Sequence, residues 1–132
     1  MSPGVSSRSV LIVDDSESAM TTLEVALLGI PDVDVKTAHS GAEALRILNN
    51  GGNVRAVITD LNMPRMDGYE LIRRIRGDQR LFATPVVVIS ADTDPGTPKR
   101  VEQLGVSAFF PKPFSPAAVR RKLEQILDGK TQ

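Results

Sequence analysis

Five polar residues of this 132-residue chain stand where apolar runs give out. Asp14 and Asp15 follow "SVLIV", Asp60 follows "VRAVIT", Ser90 closes "PVVVIS", and Lys112 comes just after "SAFF". A charge at such a point is disfavoured inside a buried sheet, so each of these residues either starts a turn or faces a site where its charge is used. If the runs are neighbouring strands, three carboxylates come close enough to repel, and either a proton or a cation must sit among them. An oxygen-only donor set suits a hard ion. A few carboxylates with open positions suit hydrated Mg2+ better than a closed Ca2+ cage, with Mn2+ as a substitute.

The elements that must position these residues follow from periodicity. The apolar runs are short, rich in β-branched residues and free of polar alternation, as expected of strands buried on both faces. "DVKTA" supplies another strand. Between them lie helical patterns: Ser16 to Leu28, with Ala19, Met20, Leu23 and Leu27 on one face; a segment opened near Gly41 by the Ser40–Glu43 capping box; and one capped by Asp67, with Leu71, Ile72 and Ile75 inward. Pro95 and Pro98 crowd the start of the fourth helix. Thr97 as cap and Pro98 as first residue would cost no hydrogen bond, which predicts a short helix over Pro98–Leu104 ended by Gly105. Ser115 and Pro116 open the last, with Val119, Leu123, Ile126 and Leu127 inward. Five strands alternating with five helices predict an α/β domain with a single doubly wound parallel sheet. In the order 2-1-3-4-5, the five polar residues meet at one edge.

Composition narrows the function. The chain is long enough for one core and 41% hydrophobic, and 16 basic residues balance 16 acidic ones, so there is no net field for nucleic acid or anionic lipid. Arg73, Arg74, Arg76, Arg120 and Arg121 read as solvated helix faces. No cysteine is present, which removes thiolate chemistry and disulfides and suits a reducing cytoplasm. The single histidine, His39, reads as a surface turn residue. The apolar runs are far too short to cross a bilayer. Residues 1–8 read as a disordered leading segment, 9–128 as the folded domain and 129–132 as a polar tail.

The ordered segments "VLIVDDS", "VITDLNMPRMDGYEL", "VVVISA" and "FFPKPF" resemble the receiver domain of bacterial two-component response regulators, in particular chemotaxis receivers, over about residues 9–128. The resemblance implies a flavodoxin-like (βα)5 fold. It also implies a Mg2+-dependent transfer of a phosphoryl group to Asp60, from a sensor histidine kinase or a histidine phosphotransfer protein. By the same resemblance Asp15 and Asp60 bind the ion directly, Asp14 partly through water, and Asn62 through its backbone carbonyl. Lys112 pairs with the acceptor and then with the phosphoryl oxygens, Ser90 donates its hydroxyl to them, and the Lys112–Pro113 bond is cis. Ser90 and Phe109 form the switch that alters the surface of the fourth helix, fifth strand and fifth helix for a downstream protein target or output domain. The family's chemistry is that of a signalling acceptor with self-phosphorylation and autodephosphorylation, not that of an enzyme.

Three departures stand out: serine where the family more often has threonine, phenylalanine at 109 where tyrosine is common, and the proline-started fourth helix. Polar Asn62 and Asp92 flank the family's path for the hydrolytic water, which implies rapid self-dephosphorylation. An aspartyl-nucleophile phosphohydrolase is the rival of another class, but such enzymes place a second carboxylate two residues after the nucleophile, where this chain has Asn62. A receiver-like interaction module without phosphorylation is the other alternative.

Overall fold

Strands and helices alternate strictly in the computed structural model, which describes residues 8–51 and 53–129. The elements are β1 (Arg8–Val13), α1 (Glu17–Leu27), β2 (Val33–Ala38), α2 (Gly41–Asn49), β3 (Val54–Thr59), α3 (Gly68–Arg76), β4 (Val86–Ser90), α4 (Thr97–Glu102), β5 (Ala108–Pro111) and α5 (Pro116–Leu127). All strand pairs are parallel, in the order β2-β1-β3-β4-β5. This is the predicted doubly wound, flavodoxin-like sheet.

The strand residues divide by parity, because successive side chains point to opposite faces. Val10 and Ile12 of β1, with Ile58 and Ile89, pack against Met20, Leu23 and Leu27 of α1 and Val119, Leu123 and Leu127 of α5. Leu11 and Val13, with Val57 and Val88, pack against α2, α3 and Val101 of α4. Covering both faces is why the strands read as continuous apolar runs. Arg8, grouped with the leading segment on composition, instead begins β1 and pairs with Asp128 at 2.6 Å. Residues 1–7 and 130–132, the rest of the two predicted terminal segments, lie outside the described residues.

Caps fall mostly where predicted. Ser16, Ser40, Asp67 and Ser115 each accept a hydrogen bond from the backbone N–H three residues on. Glu43 does reach back, but to the N–H of His39 (2.8 Å) rather than to that of the cap. The fourth helix differs more. It spans Thr97–Glu102, and its cap is Gly96, not Thr97. Asp94 explains the shift: its carboxylate accepts from the Gly96 N–H (2.8 Å) and its carbonyl from the Thr97 N–H (3.0 Å), so the turn ends one residue early. Thr97 then points inward, and Pro98 still loses no intrahelical bond, because the first four N–H groups of a helix have no partner in it.

Arg76 also corrects the reading of arginines as solvated faces. It is half-buried and donates to four main-chain carbonyls, those of Leu104 (2.9 Å), Phe82 (3.0 Å), Thr84 (2.7 Å) and Gly105 (3.0 Å). Burial pushes its pKa down, but a guanidinium stays charged at neutral pH. Arg76→Met keeps the apolar stem and strands these carbonyls, so urea unfolding should show a loss of about 2–4 kcal/mol. Arg74→Ala, which removes only an exposed partner of Glu70, should leave the midpoint nearly unchanged.

Candidate functional site

The strand order reverses between β1 and β3, and a crevice opens outside their carboxyl ends. The Asp60 N–H bonds to the Val13 carbonyl (3.0 Å) and the Asp14 N–H to that of Ala38 (3.1 Å), so the sheet ladder itself fixes where both aspartates emerge. Asp14, Asp15 and Asp60 each offer a carboxylate oxygen within 4.8 Å of the others. Asp14 is 1% exposed and Asp60 7%, whereas Asp15 faces solvent.

Each carboxylate oxygen of the buried pair has its own partner. Asp60 Oδ1 accepts from the N–H groups of Leu61 (2.7 Å) and Asn62 (3.3 Å), while Oδ2 lies 3.5 Å from Lys112 Nζ. Asp14 Oδ1 accepts from the Ser16 N–H (2.9 Å), and Oδ2 from Lys112 Nζ (3.2 Å). Burial pushes the Asp60 pKa up and Asp14 pushes it further. Lys112 and the two backbone N–H groups work against them without cancelling the rise. One ammonium is therefore shared among more negative charge than it can neutralise.

Lys112 is placed through Ser90: its N–H donates to the Ser90 carbonyl (2.8 Å), and the Lys112–Pro113 bond is cis, as the resemblance implied. The Ser90 hydroxyl is buried and accepts from the Asp92 N–H (3.0 Å); it makes no bond to Asp60 in this structure. Asn62 is exposed, with its N–H turned to Asp60. Phe109 is half-buried, pairs in register with Val88, and packs on the α2–α3–α4 side. Asp14, Asp15, Asp60 and Lys112 thus form one cluster, flanked by Ser90, with Phe109 behind β4.

Three contacts around the site escaped the sequence reading. The Thr59 hydroxyl donates to the Asp60 carbonyl (2.8 Å). Gly68 lies against that same carbonyl. His39 is exposed as expected, but its Nε2 sits 2.8 Å from Glu17 Oε2, linking the end of β2 to α1. The capping box beside His39 was the only sequence hint of that link. A cavity of about 500 Å³ lined by Leu48, Arg80, Leu81 and Thr84 opens at the other end of the sheet and contains none of the converging residues.

The donor set fits a hard divalent ion: oxygens only, an excess of negative charge, and one carboxylate open to solvent. Asp14, Asp15 and Asp60 would hold it. Mg2+ or Mn2+ at a hundred times its dissociation constant should stabilise the fold by about 2.7 kcal/mol, read as a rise in thermal midpoint. Asp15→Ala should remove most of that rise.

Residues 10–124 match the family described as the response regulator receiver domain. A chemotaxis protein CheY homolog of Campylobacter jejuni is 30% identical over 118 residues, covering 89% of this chain and 91% of that protein. Chemotaxis protein CheY1 of Helicobacter pylori is 31% identical, covering 89% and 95%. Among solved structures, a response regulator receiver protein from Pseudomonas putida superposes with a TM-score of 0.84 at 30% identity, covering 92% of this chain and 99% of that one. CheY4 of Vibrio cholerae gives 0.79 at 28%, with the same coverage. The family match over residues 10–124, the identity to CheY proteins and the shape shared over nearly the whole chain show that it belongs to the receiver domain family of response regulators and is of CheY type.

Proposed function

We propose that Asp60 accepts a phosphoryl group from a phosphohistidine on a sensor kinase or a histidine phosphotransfer protein, and that the modified domain signals to a downstream protein or output domain in the cytoplasm. The observation that carries this reading is the position of Lys112 Nζ, 3.2 Å from Asp14 Oδ2 and 3.5 Å from Asp60 Oδ2. The two main-chain N–H groups hold Oδ1, leaving Oδ2 as the attacking oxygen on the lysine side. Oδ2 forms the new bond to phosphorus as the phosphorus–nitrogen bond breaks, and the departing imidazole keeps the bonding pair and takes a proton from solvent. Lys112 turns from the carboxylate to the phosphoryl oxygens, and Ser90 can offer them its hydroxyl proton, because its present bond uses only its oxygen as acceptor. A divalent ion held by Asp14, Asp15, Asp60 and the Asn62 carbonyl would neutralise charge on the transferring group.

The exchange is stoichiometric: the protein is a signalling acceptor rather than an enzyme acting on a separate substrate. Intact-protein mass after incubation with a small acyl phosphate and Mg2+ tests this. One added phosphoryl group, lost on chelation of the metal before mixing, is the expected result. Rapid turnover of the acyl phosphate without a modified protein would favour a hydrolase, and neither outcome would favour an inert interaction module. The modified form should also decay rapidly, with Asn62 exposed and Asp92 half-buried beside the site. Asn62→Arg should slow that decay, followed as loss of the modified mass.

A further inference from the structure

Helix α4 is gripped by two residues of α3 that stand two turns apart, roughly 10 Å along its axis. At one end, the Arg100 guanidinium of α4 lies over the Tyr69 ring, 4.3 Å from its centroid. At the other, Arg76 donates to the Leu104 and Gly105 carbonyls that follow α4. The helix has few anchors of its own. It is six residues long, no cap side chain bonds its first turn, and Val101 is its one fully buried apolar residue.

The grip also works against a cost. The Tyr69 hydroxyl on α3 and the Thr97 hydroxyl on α4 are both buried and find no hydrogen-bond partner among the described protein groups. A buried hydroxyl without a partner disfavours the packing that keeps it there. A second position of α4 that gave one of them a partner would recover that cost, which narrows the gap against which a population is shifted.

The Tyr69 end of the grip abuts the acceptor. Gly68, its immediate neighbour, donates its N–H to the Leu61 carbonyl (2.8 Å) and sits so tightly on the Asp60 carbonyl and Leu61 that a Cβ has no room. Any movement of the Asp60 main chain therefore reaches Tyr69 through hard contact. We infer that the Tyr69–Arg100 contact is a latch that holds α4 in the unmodified protein and that modification of Asp60 loosens it, by a route through α3 separate from Ser90 and Phe109. Only the trigger rests on Asp60 being the acceptor; the latch itself does not.

Tyr69 is the single tyrosine in a chain without tryptophan, so tyrosine emission reports on the latch directly. Amide hydrogen exchange of the intact protein reports on α4. In the unmodified state Arg100→Ala should speed exchange of the α4 amides about two- to fivefold, leave α5 unchanged and alter the emission, with partial rescue by Arg100→Lys. Wild-type protein shown by mass to be modified should move both readouts toward the Arg100→Ala values, and modification of Arg100→Ala should change them little further. Unaltered α4 exchange in unmodified Arg100→Ala overturns the latch. So do resting values of both readouts in wild-type protein that carries the phosphoryl group. If the wild-type chain takes up no phosphoryl group, the acceptor reading fails, and the resting comparison alone decides the latch.

Discussion

Asp60→Asn should take up no phosphoryl group from an acyl phosphate and Mg2+ over a period that fully modifies the wild-type protein, yet it should be the more stable of the two in metal-free neutral buffer. Both outcomes come from one carboxylate. The amide keeps the size and the hydrogen-bonding oxygen that the Leu61 and Asn62 N–H groups require, but it lacks the anionic oxygen that attacks phosphorus. The gain in stability follows from the direction of the pKa. Burial and Asp14 raise the Asp60 pKa above 3.8, so ionising this group costs the folded state more than the unfolded one. That cost is absent below pH 3.8, grows as the pH rises toward the folded-state value, and is complete above it. The stability gap between variant and wild type should therefore open with rising pH and close with falling pH, in urea titrations across that window. Lys112 does not reverse the sign, because Asp14 also claims its ammonium at 3.2 Å. Adding Mg2+ should close the gap from the other side, by stabilising wild type and not the variant. A variant that still gains the phosphoryl mass would remove Asp60 from its role.

The cluster was legible in the sequence because its members occupy strand ends, and strand ends are what apolar runs mark most clearly. Once five runs alternate with helices, the sheet order brings Asp14, Asp15, Asp60 and Lys112 together without any knowledge of their side-chain contacts. What stayed hidden depends on contacts between segments distant in the chain. Arg76 sits in "RRIR" with nothing to separate it from its exposed neighbours, since two of its four carbonyl acceptors lie 28 and 29 residues away. Thr97 has the composition of a cap, but Asp94 three residues earlier takes the Gly96 N–H on its carboxylate and the Thr97 N–H on its carbonyl, so the turn closes one residue before Thr97 and leaves it inside the helix. Tyr69 has nothing in its own segment to single it out, and only the arrival of α4 places Arg100 over its ring. Gly68 follows the cap Asp67, but its constraint is steric and comes from the end of β3.

That constraint makes Gly68→Ala a contest between two effects of opposite sign. As the first residue of α3 it should gain by helix propensity, where alanine exceeds glycine by about 1 kcal/mol in a helix interior. Against this, the new Cβ would overlap the Asp60 carbonyl oxygen and stand 2.7 Å from Leu61 Cα, and both of these are main chain. A flexible side chain could swing away, but these atoms can yield only if α3 lifts or the end of β3 bends. Overpacking of this kind commonly costs about 1–3 kcal/mol, and contact with backbone puts this case at or beyond the upper end. The net result should be a loss of about 2 kcal/mol or more in urea unfolding. Gly77→Ala, at the other end of the same helix, is the control: its φ is −85° and the nearest atom to its Cβ would be 3.4 Å away, so it should be neutral or slightly stabilising. Either way the Gly68→Ala strain is relieved, the acceptor carboxylate or Tyr69 moves. Phosphoryl uptake should therefore fall even under conditions where the variant is fully folded, which a purely global loss of stability would not produce.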